Sequence, residues 1–443
     1  MLDVLDPRLN WFDAGRQHLW LPGSRSAEGA PPLAVVATHG SRIVLDDESE
    51  LLDGTAGGWT ACHGFNHPHI GMAVARQLER MPHIPLDGVL HQQAAKLAHR
   101  LARLLPGDLD YVTFVESGSA AVETALKMAT QYWAVRGAAA RRKFIAFRGA
   151  CHGETAGAMA ISDPATGSFA QFRKLVPRQF LVRLPVDDES VAAFEQTVAI
   201  RAHQLAGIVI EPLVQSGGGM KFHDAALLRR VRASADRHDL LLIFDECFTG
   251  FGRAGAMFAC DEARVVPDII ALSKALTGGT LPLAATIAGR KVFDVLSSGA
   301  AASSPMHGPF AGSALACAAA NASLDLFEHE PRLQQVAEIA RRLEEGLAPC
   351  RELPGVRDVR VKGAIGVVEY RRLEDAAELR QRLIEAGVFL RPFGNVVSLT
   401  PALTIEPYDL SLLVGTVVKV LLESARRRRA RRNSAPDQTD LPL

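Results

Sequence analysis

Between residues 143 and 288 the chain alternates short apolar runs with longer helical ones, and this alternation narrows the folds open to it. The runs Lys143–Phe147, Gly207–Ile210, Leu240–Phe244, Ile269–Leu272 and Leu283–Ala288 have strand length and end at polar or turn-forming residues. Ala225–His238 has helical spacing. So has Ala120–Arg136, which puts Val122, Ala125, Leu126, Ala129 and Trp133 on one face and stops at Gly137. Strands and helices in turn predict an α/β domain around a mostly parallel sheet. The two ends of the chain read differently. Charged helices, Pro331–Leu347 and Asp375–Ala386, flank a short strand, Ala364–Glu369. They predict a smaller α+β lobe made from both chain ends. The expected division is 1–60 and 330–425 for that lobe, 61–329 for the large domain, and 426–443 for a basic, disordered tail.

Ligands of open α/β sheets sit beyond the carboxyl ends of the strands. Here those ends read Glu211-Pro212, Asp245-Glu246 and Ser273-Lys274. Two acids and a lysine should therefore meet at one sheet edge. That set suits pyridoxal phosphate: the lysine bonds to the cofactor aldehyde, and the aspartate keeps the ring nitrogen protonated. Taken singly, each residue is ordinary solubilising chemistry at a strand end; the combination carries the reading. A phosphate needs its own site. Ser117-Gly118-Ser119 runs into the helix beginning near Ala120, where free N–H groups and hydroxyls suit an anion.

Other patterns point elsewhere and fail on spacing. Gly250-Phe251-Gly252-Arg253-Ala254-Gly255 matches a dinucleotide fingerprint, but five residues separate it from the strand and no long helix pattern follows. "HGFNHPH" at 63–69 holds three histidines without a carboxylate or cysteine set to complete a metal site, so no metal is expected. The six cysteines form no C-x-x-C pair and suit a reducing compartment. Lys plus Arg equals Asp plus Glu at 49 each, which gives no general attraction to nucleic acid or to an anionic membrane. The arginine run at 426–432 reads as a solvated helix end. With no signal-like start and no spanning apolar run, a cytoplasmic protein is expected.

The stretches "ESGSAAVETALKMATQYW", "CHGETAG", "IVIEPLVQSGGGM", "LLIFDECFTGFGRAG", "DIIALSKALTGG" and "MHGPFAGSALACAAANASL" together resemble the class III, fold type I, pyridoxal-phosphate aminotransferases. "GFNHP", "KMATQYW", "GAIGVVE" and "LRPFGN" resemble the biotin-pathway branch of that class, which aminates 8-amino-7-oxononanoate with adenosylmethionine as donor. The likeness runs from about residue 50 to 400. It implies that Lys274 bonds to the cofactor and that Asp245 faces the pyridine nitrogen. Gly118 and Ser119, beside Ser117, would hold the phosphate. Cys151 and His152 would lie by the ring, and Glu211 on its hydroxyl side. Arg391 would grip a substrate carboxylate, with Arg253 near the same pocket. Gly58 and Trp59 would line the substrate site. Gly308, Pro309 and Phe310 would reach a second subunit's cofactor, which implies a homodimer.

The departures are specific. Gly23, Gly58 and Cys151 stand where that branch has aromatic residues, and Phe310 follows Pro309 where it has a phosphate-binding threonine. Each lost aromatic removes about 150–250 Å² of contact surface. Three readings are open: a biotin enzyme with compensating residues, a relative with a roomier pocket and a different carboxylate substrate, or a cofactor-binding protein without turnover.

Overall fold

The computed structural model describes residues 11–21, 32–166, 169–298 and 308–433. At its centre is a seven-stranded sheet. In chain order its strands are β1 (Leu109–Val115), β2 (Lys143–Phe147), β3 (Phe180–Val182), β4 (Leu205–Ile210), β5 (Leu241–Asp245), β6 (Ile269–Leu272) and β7 (Ala284–Gly289). They lie in the order β1-β7-β6-β5-β4-β2-β3. All pairs are parallel except those made by β7, which runs antiparallel to β6 and β1. Every residue of β4 to β7 is buried. Burial on both faces explains why these strands read as unbroken apolar runs.

The register brings the strand ends level. Phe244 pairs with Ile210, and Asp245 with Ala271. Glu211 therefore follows directly beside Asp245, and Lys274 lies three residues past Asp245's partner. The helix Gly118–Val135 packs across the sheet with Ala121, Val122, Ala125, Ala129 and Trp133 buried.

Both chain ends contribute to a second group of sheets. Val35–His39, Arg42–Leu45 and Glu50–Asp53 form an antiparallel ribbon, and Val388–Phe389 joins it in parallel, with Val388 opposite Leu52. Val356–Lys362, Ile365–Tyr370 and Val396–Leu399 form a further antiparallel sheet. The last helix, Pro407–Asn433, packs on the helix Arg332–Leu347. It also corrects the expected boundary at 426, because the arginine run continues that helix to Asn433, and Arg428 sits 5.2 Å over the Tyr370 ring. Cations in a last helical turn complement the carbonyl end of the helix, so the run extends it instead of leaving it.

The Gly250–Gly255 stretch is a loop tied down from inside. Buried Glu246 accepts hydrogen bonds from Ala259 N–H at 2.7 Å, Cys260 N–H at 2.8 Å and the Thr249 hydroxyl at 3.2 Å. Only the short helix Ala259–Ala263 follows, so no long helix N-terminus faces a pyrophosphate.

Candidate active site

The acid side of the site is closed, and its two carboxylates have partners on both oxygens. His152 Nδ1 lies 2.8 Å from Asp245 Oδ2, both side chains are buried, and Cys247 N–H donates to Asp245 Oδ1 at 3.1 Å. Burial works against a charge on Asp245. The hydrogen bond from His152, the charges of His152 and Lys274 and the Cys247 contact outweigh it, holding the carboxyl below its ordinary range. Burial likewise opposes a charge on His152, yet its bond to Asp245 and the charges of Asp245 and Glu211 raise its pKa. The other ring nitrogen of His152, Nε2, is buried without a partner.

Glu211 is fixed from two sides. Oε2 accepts Cys151 N–H at 3.0 Å, and Oε1 accepts both the N–H and the hydroxyl of Ser216 at 2.9 Å. Burial, first, and then the neighbouring charge of Asp245 raise its pKa against the pull of His152. Ser162 accepts His152 N–H at 2.8 Å and so pins the backbone that carries Cys151 and His152. Ser216 and Ser162 carry no signal in the sequence. Serines near strand ends are too common to stand out, and only the fold shows that they bond to this segment.

The helix N-terminus has the form an anion site requires. Ser117 caps it by accepting Ala120 N–H at 3.2 Å. The Ser119 hydroxyl accepts Glu154 N–H at 3.1 Å, which joins this turn to the His152 segment. Gly118 passes so close to β5's end that a Cβ there would stand 3.2 Å from Cys247 Sγ and 3.4 Å from Ser273 Cβ. A side chain at 118 would crowd these neighbours, so glycine suits a backbone that must press toward a ligand.

Lys274 opens a 3₁₀ turn, Lys274–Thr277, in the left-handed region at φ 52°. Its Nζ lies 5.6 Å from the centre of the Trp59 ring, and the Trp59 ring packs edge-on against Phe248 at 4.7 Å. Trp59 ends a run of four positive-φ residues, Ala56, Gly57, Gly58 and Trp59. Buried Asp53 holds that turn by accepting Thr55 N–H at 2.7 Å, the Thr55 hydroxyl at 2.6 Å and Gly57 N–H at 2.6 Å. A Cβ on Gly58 would meet nothing within 4 Å, although its φ of 69° disfavours one. The two thiols differ in exposure but share a direction. Burial pushes Cys151 up to about 11 and Cys247 well above the usual thiol range, with Asp245 and Glu211 adding to both.

The remaining sequence-derived residues are spread out. Arg253 is buried and donates to the carbonyls of Ala364 at 3.0 Å and Pro401 at 2.7 Å, so it ties the 250–255 loop to the C-terminal sheets. Its burial lowers the guanidinium pKa to about 10. Arg391 is exposed. Gly308 lies against Glu116, where an added Cβ would come within 2.3 Å of Oε1. Pro309 and Phe310 are exposed, and the Phe310 ring rests 4.6 Å from that of His83. Gly23 falls outside the described residues. The three histidines of the 63–69 stretch have separate work: His63 bonds to Arg332 and Ser323, His67 accepts His69 N–H, and His69 reaches Asp325 at 3.0 Å.

A lysine, an aspartate held ionised by a buried histidine, and a capped helix N-terminus thus meet at one edge of a sheet with a single antiparallel strand. The family description "Aminotransferase class-III" fits residues 24–421. The chain belongs to the class III aminotransferases. This aminotransferase is 42% identical over 413 residues to the adenosylmethionine-8-amino-7-oxononanoate aminotransferase of Mycobacterium leprae, covering 91% of this chain and 94% of that one. It is 36% identical to the enzyme of the same name from Corynebacterium glutamicum, over 89% and 94% of the two chains. Among solved structures, the Methanocaldococcus jannaschii enzyme of that name superposes with a TM-score of 0.87 at 27% identity, covering 93% and 98%. An amine transaminase from an uncultivated Pseudomonas species, solved in its PLP-bound form, superposes at 0.86 with 30% identity, covering 92% and 98%. No helix among the described residues is long and apolar enough to cross a membrane.

Proposed function

We propose that this aminotransferase is pyridoxal-phosphate dependent and transfers an amino group from adenosylmethionine to 8-amino-7-oxononanoate, giving 7,8-diaminononanoate. The observation that carries the cofactor reading is the buried Asp245–His152 pair at the end of β5, 2.8 Å apart, beside the strand end that leads to Lys274. The close approach of Gly118 to Cys247 and Ser273, and the unpartnered His152 Nε2, fit the same group. The names of relatives covering nine-tenths of the chain support the substrates.

When bound, pyridoxal phosphate supplies an aldehyde and a ring that accepts electrons from the substrate carbon. Lys274 would bond that aldehyde, and its amine would hold and move the proton at the substrate carbon. Asp245 would hold a proton at the ring nitrogen, and the bond from His152 keeps its carboxylate charged and oriented. Ser117, Gly118 and Ser119 receive the phosphate at the helix N-terminus. Glu211 orients the Cys151–His152 backbone beside the ring. Arg391 binds the acceptor's carboxylate with its guanidinium fork. Arg253, whose Nη1 holds two carbonyls and whose buried Nη2 has no partner among the described residues, supports the pocket wall.

The working unit we propose is a homodimer in the cytoplasm, with a large domain over 61–329 and a smaller one from the two chain ends. Phe310 is 61% exposed and Leu90 74%, apolar surface that a second copy would cover and that would bring Gly308–Phe310 to its partner's site. One observation favours a second reading, a different carboxylate substrate: position 58 opens on empty space where the resembling branch carries an aromatic. Complementation of a biotin auxotroph lacking this step separates the two. Rescue at low expression supports the biotin reaction. Failure to rescue, with turnover of other keto acids by the purified protein, supports the second reading.

A further inference from the structure

His63 belongs to a buried hydrogen-bond chain that ends one residue past Lys274. Arg332 Nε–H donates to His63 Nδ1 at 3.0 Å. His63 Nε2 lies 3.1 Å from Ser323 Oγ, and Ser323 Oγ lies 3.3 Å from the Ala275 carbonyl oxygen. His63, Ser323 and Arg332 are all buried. The polarity of the whole chain is forced. A guanidinium has only donors, so His63 Nδ1 must accept. The ring proton then sits on Nε2 and is donated to Ser323 Oγ. The Ser323 hydroxyl is left to donate to Ala275. Beyond the ring, Arg332 is held by Gln335 Oε1 at 2.9 Å and Glu330 Oε2 at 2.9 Å. Burial, first, and the charges of Arg332 and His67 push the His63 pKa down to about 3, in keeping with a neutral ring.

The Ala275 carbonyl has two other donors. Gly278 N–H reaches it at 3.0 Å and Cys62 Sγ at 3.5 Å. This carbonyl closes the 3₁₀ turn that begins at Lys274, whose backbone is left-handed and therefore needs support from its surroundings. The Lys274 ammonium itself lies over the Trp59 ring, 5.6 Å from its centre.

We infer that Arg332, His63 and Ser323 are positioning residues for Lys274: their one-way hydrogen-bond chain fixes the Ala275 carbonyl and, through it, the direction in which the lysine leaves the backbone. The inference rests on the proposed role of Lys274. It also gives the first histidine of the 63–69 stretch a task other than metal binding.

The test uses the holoenzyme with Ser323→Cys, Ser323→Ala and Arg332→Met. Ser323→Ala removes the last link and adds a good helix former to the helix Ala314–His329. Ser323→Cys keeps a weak donor. The readouts are kcat, KM for the amino donor, and the pH at which the visible absorption of the bound cofactor changes. We expect kcat in Ser323→Ala to fall about tenfold with KM within twofold, and the absorption midpoint to move by at least half a pH unit. Ser323→Cys should lie between it and the wild type. Arg332→Met should move both readouts the same way by less. Unchanged kcat and midpoint in Ser323→Ala overturn the inference; if that variant does not fold, wild-type values in Arg332→Met do so. Borohydride reduction and peptide mapping of each preparation keep the two readings apart. A label on a lysine other than Lys274 sinks the role of Lys274, whereas a label on Lys274 with unmoved readouts sinks only the hydrogen-bond chain.

Discussion

The two sides of the site are built differently. On the acid side, Asp245, His152 and Glu211 are buried, and each carboxylate has partners for both oxygens from within the chain. On the side proposed to meet the substrate and a second copy, Arg391 and Phe310 are exposed and Gly58 faces open space. The difference teaches which part of the chemistry one chain can complete alone. Groups that must hold a fixed charge against burial are paid for by local hydrogen bonds. Groups proposed to meet a variable substrate, or a second subunit, are left exposed.

The comparison breaks most visibly if the acid side is dispensable. Asp245→Asn should keep the fold, because the side chain remains nearly isosteric and can still accept from Cys247. It should lower kcat by about a hundredfold or more, since a general acid–base contribution of that order depends on the ring proton it holds. Near wild-type kcat would mean that the buried pair is scaffolding only.

The buried acid that anchors the neighbouring 250–255 loop should also leave a mark on stability. Glu246 is pushed up to about 7 by burial, from an ordinary value near 4.5. The folded protein therefore holds a proton that the unfolded chain has lost, and stability should fall as pH rises from about 4.5 to about 7. At about 1.4 kcal/mol per unit the loss is on the order of 3 kcal/mol. Thermal unfolding of wild type and Glu246→Gln across that window checks this, with the variant showing the shallower slope.

Effects on the open side should be smaller and substrate-dependent. Arg391→Ala should raise KM for carboxylate acceptors with a cost of about 1.5–3 kcal/mol, the range for a hydrogen bond to a charged group. The cost for a fully buried pair does not apply, because Arg391 is exposed. A matched acceptor without a carboxylate should be unaffected, and steady-state kinetics on the two acceptors decides. Gly58→Trp would restore an aromatic, but at φ 69° it should cost about 1–2 kcal/mol of stability, read as a lower Tm beside any gain in acceptor affinity.

The same contrast governs what the sequence reveals. Strands β4 to β7 were legible because burial on both faces writes an uninterrupted apolar run. Their terminal residues, Glu211, Asp245 and Lys274, followed from the rule that ligands sit past strand ends. The edge strand β3 was not legible: its three residues are only half-buried and too short to show a period. Nor were Ser216, Ser162, Asp53 and Ser323, whose hydrogen bonds join positions far apart in the chain or belong to residue types common everywhere. Arg253 shows a third case. Its place in a family motif suggested a substrate contact, while its burial against Ala364 and Pro401 carbonyls depends on how the chain ends fold back.

The most direct measurement is where the cofactor bonds. The purified protein loaded with pyridoxal phosphate, reduced with borohydride, digested and mapped by mass spectrometry should carry the label on Lys274 alone, and Lys274→Ala should carry none and transfer no amino group. A label on any other lysine, or turnover surviving in Lys274→Ala, would contradict the account.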